Sequence, residues 1–312
     1  MQTILITGGA GFIAGAMAKR LALDPTNRIV IVDNLISGDK RNLPPNLHQN
    51  VVFLNADVNE EALIRPLFEA YSFDAVFHYA ALVGVQRTLM NPVAVLRDID
   101  GIRNILNLSV QFGVKRVFYS SSSEVYGEPV TVPQHEHTTP LNSRLPYAIV
   151  KNLGEAFLRS YQQEYGLKYT IFRFFNTYGP GQSVDFVMSR FLEMARNGKD
   201  ITIYGDGQQT RTFCYIEDNI DVTIKIYKEG HFLNDVVNIG SDQEMTILSL
   251  AQKIVDVTGS SSKIIHLPAL PEGDMTRRKP DIGKMISLMD RPLTSLDDGI
   301  LQLIKSAQVC VE

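Results

Sequence analysis

Gly8-Gly9-Ala10-Gly11-Phe12-Ile13-Ala14 follows the apolar run QTILIT (2–7) and opens the helical pattern FIAGAMAKRLAL (12–23). A β-branched run, a glycine turn and an amphipathic stretch, in that order, predict strand, tight turn and helix. The spacing is GxxGxxA. Gly8 permits the tight turn, and Gly11 lets backbone N–H groups at the helix N-terminus approach a pyrophosphate. Ala14 is small enough for the helix to pack closely on the strand. A second strand, RIVIVD (28–33), ends in Asp33, about 20 residues past the turn. A carboxylate there accepts hydrogen bonds from a ribose hydroxyl and repels a 2′-phosphate, so the pattern points to NAD rather than NADP. Glycines also mark plain βαβ turns, but the flanking elements and Asp33 favour the nucleotide reading. Asp57, after a third strand, suits either an adenine edge or an ordinary turn or helix N-cap.

Working outward, strands are predicted at 51–56, 74–79, 114–120 and 168–174, alternating with helices at 60–71, 92–112 and 146–165. Strands this apolar imply a parallel sheet covered on both faces, and right-handed crossovers make it a doubly wound α/β sheet. The character changes after Asn176. A Gly/Pro loop (177–182) leads to a helix (184–197), a short strand (201–205), a polar turn (206–209) and a helix (218–229). DVVNIG (235–240) reads as a buried strand returning to the sheet. A helix at 246–258 and a tail with one last helix at 295–306 complete the chain. The expected division is a nucleotide domain over 1–175 with a returning segment at 212–242, and a smaller interlaced C-terminal domain over 176–211 and 243–312.

Composition narrows the classes. The 312 residues are 45% hydrophobic and 21% charged, an ordinary globular balance. The net charge of −4, with its basic residues scattered, offers no field for nucleic acid or an anionic membrane. Cys214 and Cys310 are too few for a disulfide framework and lie in no metal-binding spacing, so a reduced cytoplasmic protein without a metal is expected. MQTILITGGAGF lacks the basic n-region of a signal peptide, and no apolar run is long enough to span a bilayer.

Tyr147 and Lys151 stand four apart at the start of a helix and share one face. A neighbouring ammonium favours the phenolate, making Tyr147 a proton acceptor suited to alcohol oxidation with a nicotinamide. Most Tyr-x-x-x-Lys pairs are a surface lysine beside a half-buried tyrosine. Here Tyr119-Ser120-Ser121-Ser122-Ser123-Glu124-Val125-Tyr126-Gly127 ends the fifth strand, where open α/β sheets bind ligands. A serine run alone would suit loop capping; with GxxGxxA and YxxxK it reads as part of a site.

The set TGGAGFIA (7–14), SSSSEVYG (120–127), YAIVK (147–151), FRFFNTYGPGQ (172–182), IYGDGQQTRTFCYIED (203–218) and VVNIG (236–240) resembles the extended short-chain dehydrogenase/reductase family, and within it the nucleotide-sugar epimerases, dehydratases and decarboxylases. The resemblance covers nearly the whole chain. It implies a Rossmann fold, NAD held and regenerated within each turnover, and a nucleoside diphosphate sugar, with UDP the first choice. It implies catalytic roles for Ser122, Glu124, Tyr147 and Lys151. Gly8, Gly11, Phe12, Ile13, Asp33, Asn34, Asp57, Val58, Ala80, Ser120, Tyr147 and Lys151 would hold the cofactor. Asn176, Arg211 and Arg278 would hold the diphosphate, with Arg87 and Ser123 also on the substrate. On spacing alone, residues 277–279 would be a solvated basic loop.

The resemblance implies C4 oxidation as the shared first step, and elimination needs a further acid/base beyond tyrosine. Glu124 stands where many 4-epimerases carry a small or hydroxyl residue, and Ser122-Ser123-Glu124 is similar to the Thr-Ser-Glu of the decarboxylases and GDP-mannose dehydratases. Arg278-Lys279-Pro280-Asp281-Ile282 is similar to the glucuronate decarboxylases. Glu124-assisted dehydration or decarboxylation is therefore the expected outcome. Against it, residues 78–92 are epimerase-like and YAIVK lacks the decarboxylases' acidic form, so 4-epimerisation is the alternative; an NAD-binding protein without turnover is a third reading. Asp98 departs from the family's asparagine and, ionised, cannot donate a hydrogen bond. Helices 92–112 and 146–165 are where the family pairs subunits, so a homodimer through a four-helix bundle is expected, with Leu108, Phe112, Leu153 and Phe157 as contact candidates.

Overall fold

The computed structural model describes residues 1–45, 49–269 and 275–309, which leaves Cys310 outside the described residues. The chain opens with β1 (Gln2–Thr7), α1 (Phe12–Ala22), β2 (Asn27–Asp33), β3 (Val51–Asn55), α2 (Glu61–Ala70) and β4 (Ala75–His78). It continues through α3 (Val85–Met90), α4 (Pro92–Leu96), α5 (Asp98–Gln111), β5 (Arg116–Ser122), α6 (Pro146–Tyr165) and β6 (Tyr169–Phe174). Then come β7 (Thr177–Tyr178), α7 (Val187–Arg196), β8 (Ile201–Tyr204), β9 (Thr210–Thr212), β10 (Cys214–Tyr215), α8 (Ile216–Glu229) and β11 (Asp235–Ile239). The last are β12 (Glu244–Thr246), α9 (Ile247–Thr258), β13 (Ile264–Leu267), α10 (Gly283–Ile286) and α11 (Leu296–Val309).

Seven strands form one sheet in the order β11-β6-β5-β4-β1-β2-β3. β1 runs parallel to β2 and β4, β2 to β3, and β4 to β5. The order reverses between β1 and β4, the point where ligands enter doubly wound sheets. The inner strands are buried on both faces, which is why they read as nearly unbroken apolar runs. α1 buries Ala14, Met17, Ala18 and Leu21, a stripe at helical spacing.

The chain divides into two compact units: Met1–Val125, Ser143–Arg173 and Thr223–Val237 in the first, Tyr126–Asn142, Phe174–Val222 and Asn238–Glu312 in the second. Two features differ from the expected division. Residues 126–142 join the second unit, because Gln134 bridges to Pro280 and Asn238 ties the segment down. The returning segment narrows to 223–237.

Within the second unit, β9 pairs antiparallel with β12, β8 parallel with β13, and β7 parallel with β10. Asn238 is its polar hub. The Tyr126 hydroxyl donates to Oδ1 at 2.8 Å, and Nδ2 donates to the Gln134 carbonyl at 2.9 Å and the Asp281 carbonyl at 3.1 Å. Its own N–H donates to Glu136 Oε1 at 3.0 Å. Cys214 is a buried free thiol, and burial pushes its ionisation up. Among the described residues, no helix is long and apolar enough to cross a membrane.

Three local expectations change. The single helix over 92–112 is instead α4 and α5, meeting at Arg97. There the backbone closes i→i+3, Arg97 N–H on Ala94 O and Asp100 N–H on Arg97 O, while the Asp98 carboxylate accepts from Leu82 N–H at 2.8 Å. Leu108, expected at a subunit contact, is 0% exposed in the core, and Phe112 and Phe157 pack against that core. β5 extends to Ser122, so Ser120, Ser121 and Ser122 occupy its last positions.

The buried face of α6 carries Ala148, Val150, Lys151, Gly154, Glu155 and Leu158, so a lysine and a glutamate lie on what sequence patterning reserves for apolar groups. Gly154 is what lets this helix approach β5: a methyl group there would stand 2.2 Å from the Tyr119 hydroxyl oxygen. Gly154→Ala is accordingly expected to lower stability by about 1–3 kcal/mol through overpacking. Urea denaturation measures it, and a wild-type midpoint would show that Tyr119 moves aside at no cost.

Candidate functional site

The nucleotide end lies where β1 meets α1. Gly8 has φ +70°, and a Cβ there would sit 2.7 Å from the Ala80 Cα, so the turn passes tightly against the chain leaving β4. Gly11 caps α1 without a side-chain bond, its N–H donates to the Gly8 carbonyl at 2.8 Å, and a Cβ on it would meet that oxygen at 2.9 Å. The N–H groups that face an anion are thus those of the first turn of α1, which carries Phe12 and Ile13 and no acidic residue. Asp33 holds this turn: Oδ2 accepts from Ala10 N–H at 3.0 Å and Oδ1 from Leu35 N–H at 2.7 Å. Burial raises its ionisation, and those two N–H bonds oppose the rise. Each oxygen retains a second lone pair for a ribose hydroxyl. Tight glycine cradle, dipole and acceptor together fit a dinucleotide.

Asp57 fills the turn role. Oδ1 accepts from Asn59 N–H at 2.9 Å, and Oδ2 accepts from the Asn34 amide at 3.2 Å, so these two cofactor candidates brace each other. Val58 is buried beside them. Ala80 N–H donates to Thr7 Oγ1 at 3.3 Å, and the same hydroxyl contacts His78 Nδ1 at 2.8 Å. Burial first, then the charge of Lys151, lowers His78 to about 3, so its ring is neutral at any physiological pH. Sequence reading missed Thr7 and His78; their proximity to the Gly8 turn arises from strand pairing, which a single sequence does not display.

Lys151 is the electrostatic centre. It is 3% exposed, and its Nζ donates to the Ser120 carbonyl at 2.6 Å and to Ser120 Oγ at 3.2 Å. The same nitrogen lies 5.1 Å from the Tyr119 ring centroid and 5.8 Å from that of Tyr147. With two donors on Ser120, a third remains for a ribose. Burial lowers its ionisation to about 8, and the carboxylate of Asp98 opposes the drop. Asp98, itself raised by burial, thus braces the chain after β4 as an acceptor and supplies charge toward Lys151. The family's asparagine carries no such charge.

Ser122 ends β5, and its Oγ accepts from Glu124 N–H at 3.1 Å, which starts the 3-10 turn Ser123–Tyr126. Its own proton remains to donate. Glu124 and Tyr147 are half-buried, Ser123 is buried, and Tyr147 enters α6 immediately after Pro146 at its first position. Ser120, Ser122, Glu124, Tyr147 and Lys151 all belong to the first unit. Arg87, half-buried on α3, belongs there too.

The other anion-binding candidates lie in the second unit. Asn176 has φ 36°, and its amide donates to the Thr212 carbonyl at 3.0 Å, bracing the strand that carries Arg211. Arg211 and Arg278 are both buried; Arg211 donates to the Thr210 carbonyl at 2.7 Å, and Arg278 lies on Met275 Sδ at 3.1 Å. A bridge between Thr210 and Arg277 aligns the two segments. The basic run is not a uniform solvated loop: Arg277 forks onto Glu244 at 2.6 Å, Lys279 approaches it at 3.8 Å, and Arg278 turns inward.

Residues 4–240 match the NAD dependent epimerase/dehydratase family. The chain is 36% identical over 316 residues to a UDP-N-acetyl-alpha-D-glucosaminuronate decarboxylase of Bacillus cytotoxicus, covering 96% of each. It is 33% identical over 307 residues to a putative UDP-glucose 4-epimerase of Methanocaldococcus jannaschii, covering 96% of this chain and 97% of that protein. Among solved structures, a UDP-glucose 4-epimerase of Thermotoga maritima with UDP-glucose superposes with a TM-score of 0.92 at 30% identity, covering 100% of both chains. The cradle at Gly8, the carboxylate of Asp33 and the Tyr147–Lys151 pair thus accompany a match across most of the sequence: the chain belongs to the NAD-dependent epimerase/dehydratase family.

Proposed function

We propose that the protein uses bound NAD to oxidise C4 of a nucleoside diphosphate sugar, a UDP-sugar first, and that a sugar bearing a C6 carboxylate then loses CO₂ with help from Glu124. The carrying observation is a glutamate two residues past Ser122, its N–H on the Ser122 hydroxyl, on the unit that holds Tyr147 and the buried ammonium of Lys151. The Bacillus cytotoxicus decarboxylase, similar over 96% of this chain, supports the same outcome.

Gly8, Gly11, Phe12, Ile13, Asp33, Asn34, Asp57, Val58, Ala80, Ser120 and Lys151 would hold the cofactor, which would supply a hydride acceptor for C4 and, once reduced, a hydride donor. Tyr147 takes the 4-hydroxyl proton, Ser122 holds that oxygen, and the Lys151 ammonium favours the phenolate. The resulting 4-keto uronate carries its carboxylate β to the ketone. Its C5–C6 bond breaks, the electron pair moves toward the C4 oxygen, and C5 regains a proton through Glu124. Asn176, Arg211 and Arg278 hold the diphosphate, and Arg87 and Ser123 contact the substrate. The second reading is 4-epimerisation, favoured by the TM-score of 0.92 to the Thermotoga maritima enzyme and by the epimerase-like stretch 78–92.

We also infer a homodimer. The supporting surface differs from the residues expected from sequence: Val93 is 76% and Leu96 44% exposed on α4, and Ile149 is 46% exposed on α6, which packs against α4. A reduced cytoplasmic setting accords with the buried free thiol of Cys214.

Incubation with UDP-glucuronate, UDP-N-acetylglucosaminuronate and neutral UDP-sugars, read by mass spectrometry after separation, is expected to give a product lighter by CO₂. Glu124→Gln should slow its formation by about 10²-fold or more. A product of unchanged mass that survives Glu124→Gln would establish the epimerase instead.

The pH dependence follows from Lys151. Its active form is the ammonium, whose fraction falls as pH rises through about 8, so turnover should decline on that alkaline limb. Lys151→Arg, which stays charged, should lose the limb; Asp98→Asn, which can keep the acceptor for Leu82 but removes the opposing charge, should move it lower. A limb that stays in place in both variants removes Lys151 from the profile.

Sedimentation should give twice the 34.9 kDa chain mass for the wild type and the monomer mass for Ile149→Asp. A wild-type monomer at micromolar concentration ends the dimer reading.

A further inference from the structure

One turn beyond Lys151, on the same face of α6, lies Glu155, which is 0% exposed. Its four hydrogen bonds reach three elements. Oε1 accepts from Ser121 Oγ at 2.6 Å on β5 and from Arg173 Nε at 2.8 Å on β6. Oε2 accepts from Arg173 Nη2 at 2.7 Å and from Arg159 Nη2 at 2.8 Å, one turn further along α6. Ser121 and Arg173 are buried as well. Burial alone would raise the glutamate's ionisation, but the bonds and charge of Arg173, with Ser121 and Arg159, outweigh it and hold it as a carboxylate.

Lys151 grips the carbonyl of Ser120, and Glu155 grips the hydroxyl of the next residue, Ser121. Two successive turns of α6 are therefore pinned to two successive residues of β5. Tyr147 lies one turn before the first pin, and Ser122 one residue after the second. Ala148, Val150, Gly154 and Leu158 pack α6 against its neighbours, and the two pins, with Arg173 fixing Glu155 from β6, add directional bonds that set its register on β5. A buried ion pair is seldom the most stable filling for a core, because apolar residues of similar volume do as well or better. What it adds here is a requirement for one geometry, with directional bonds that apolar packing lacks.

We infer that Glu155, Arg173 and Ser121 form a clamp that sets where Tyr147 stands relative to Ser122, making Glu155 and Ser121 positioning residues for the reaction. The inference rests on the reading of Tyr147 and Ser122 given above. The signal in the sequence is the repeat Tyr147, Lys151, Glu155 at intervals of four on one helix.

Ser121→Ala removes one pin and leaves the ion pair whole, so it tests placement without stranding a buried charge. In a crystal structure of the NAD-loaded variant superposed on the sheet, the Tyr147 hydroxyl should move relative to Ser122 Oγ by about 0.5 Å or more. This readout needs no substrate. With UDP-glucuronate as the probe, kcat should fall about tenfold while KM stays within about twofold, because misplacement acts on the reacting geometry. Ser121→Thr, which restores the hydroxyl, should recover kcat. Tyr147 unmoved in Ser121→Ala, or wild-type kcat in that variant, overturns the inference. So does a loss of kcat that tracks a collapse in melting temperature and is not rescued by threonine. Tyr147→Phe separates the two levels. If it is inactive while Ser121→Ala is unaffected, the clamp fails alone; if it retains full turnover, the assignment of the site fails and takes the clamp with it.

Discussion

The bond from Lys151 Nζ to the Ser120 carbonyl is the constraint on which the site depends. An ammonium in the core is costly unless its donors are met, and a strand-end carbonyl and hydroxyl meet two of them. To reach that carbonyl, α6 must lie close to β5. Closeness in turn requires glycine at 154, where the Tyr119 ring occupies the space of a side chain. The low dielectric that makes the charge expensive also makes it effective: it lowers the lysine's own ionisation and extends its influence to His78 and Asp98.

Legibility in the sequence follows the range of the interactions. The Gly8 turn, Asp33 and the Tyr147–Lys151 pair are patterns within one βαβ unit or one helix, so spacing alone exposes them. The break between α4 and α5 was not legible, because the partner that draws Asp98 away is Leu82, on a separate segment. Leu108 is buried because it belongs to the α5 face that carries Ile102, Ile105 and Leu106 into the core, a packing partner on the sheet that a single sequence does not display. β9, β12 and β13 have only three or four residues each, too few for a period of two to show. The segment 126–142 falls within the expected nucleotide domain over 1–175, and what commits it to the second unit is a side chain about a hundred residues away, Asn238.

The basic run near the C-terminus illustrates how tertiary pairing resolves a composition. By charge, Arg277, Arg278 and Lys279 are equivalent. Bridging to Thr210 gives this stretch an extended backbone, and extended backbone alternates its side chains. Glu244, on the strand paired with β9, collects the two outer cations and leaves the middle one turned inward. The carboxylate thereby decides which cation in the run is withdrawn from solvent.

β11 completes the sheet beside β6 only after the chain has passed through two of the three segments of the second unit. A fragment cut at the end of β6 would therefore keep every residue of the Gly8 turn and the Tyr147–Lys151 pair yet present Tyr169–Phe174 as a bare edge. That strand is nearly wholly buried, and its unpaired N–H and C=O groups would template association with other chains. The nucleotide-binding half is thus continuous in space but not in sequence, and it gains protection from self-association only after residue 239 has been synthesised.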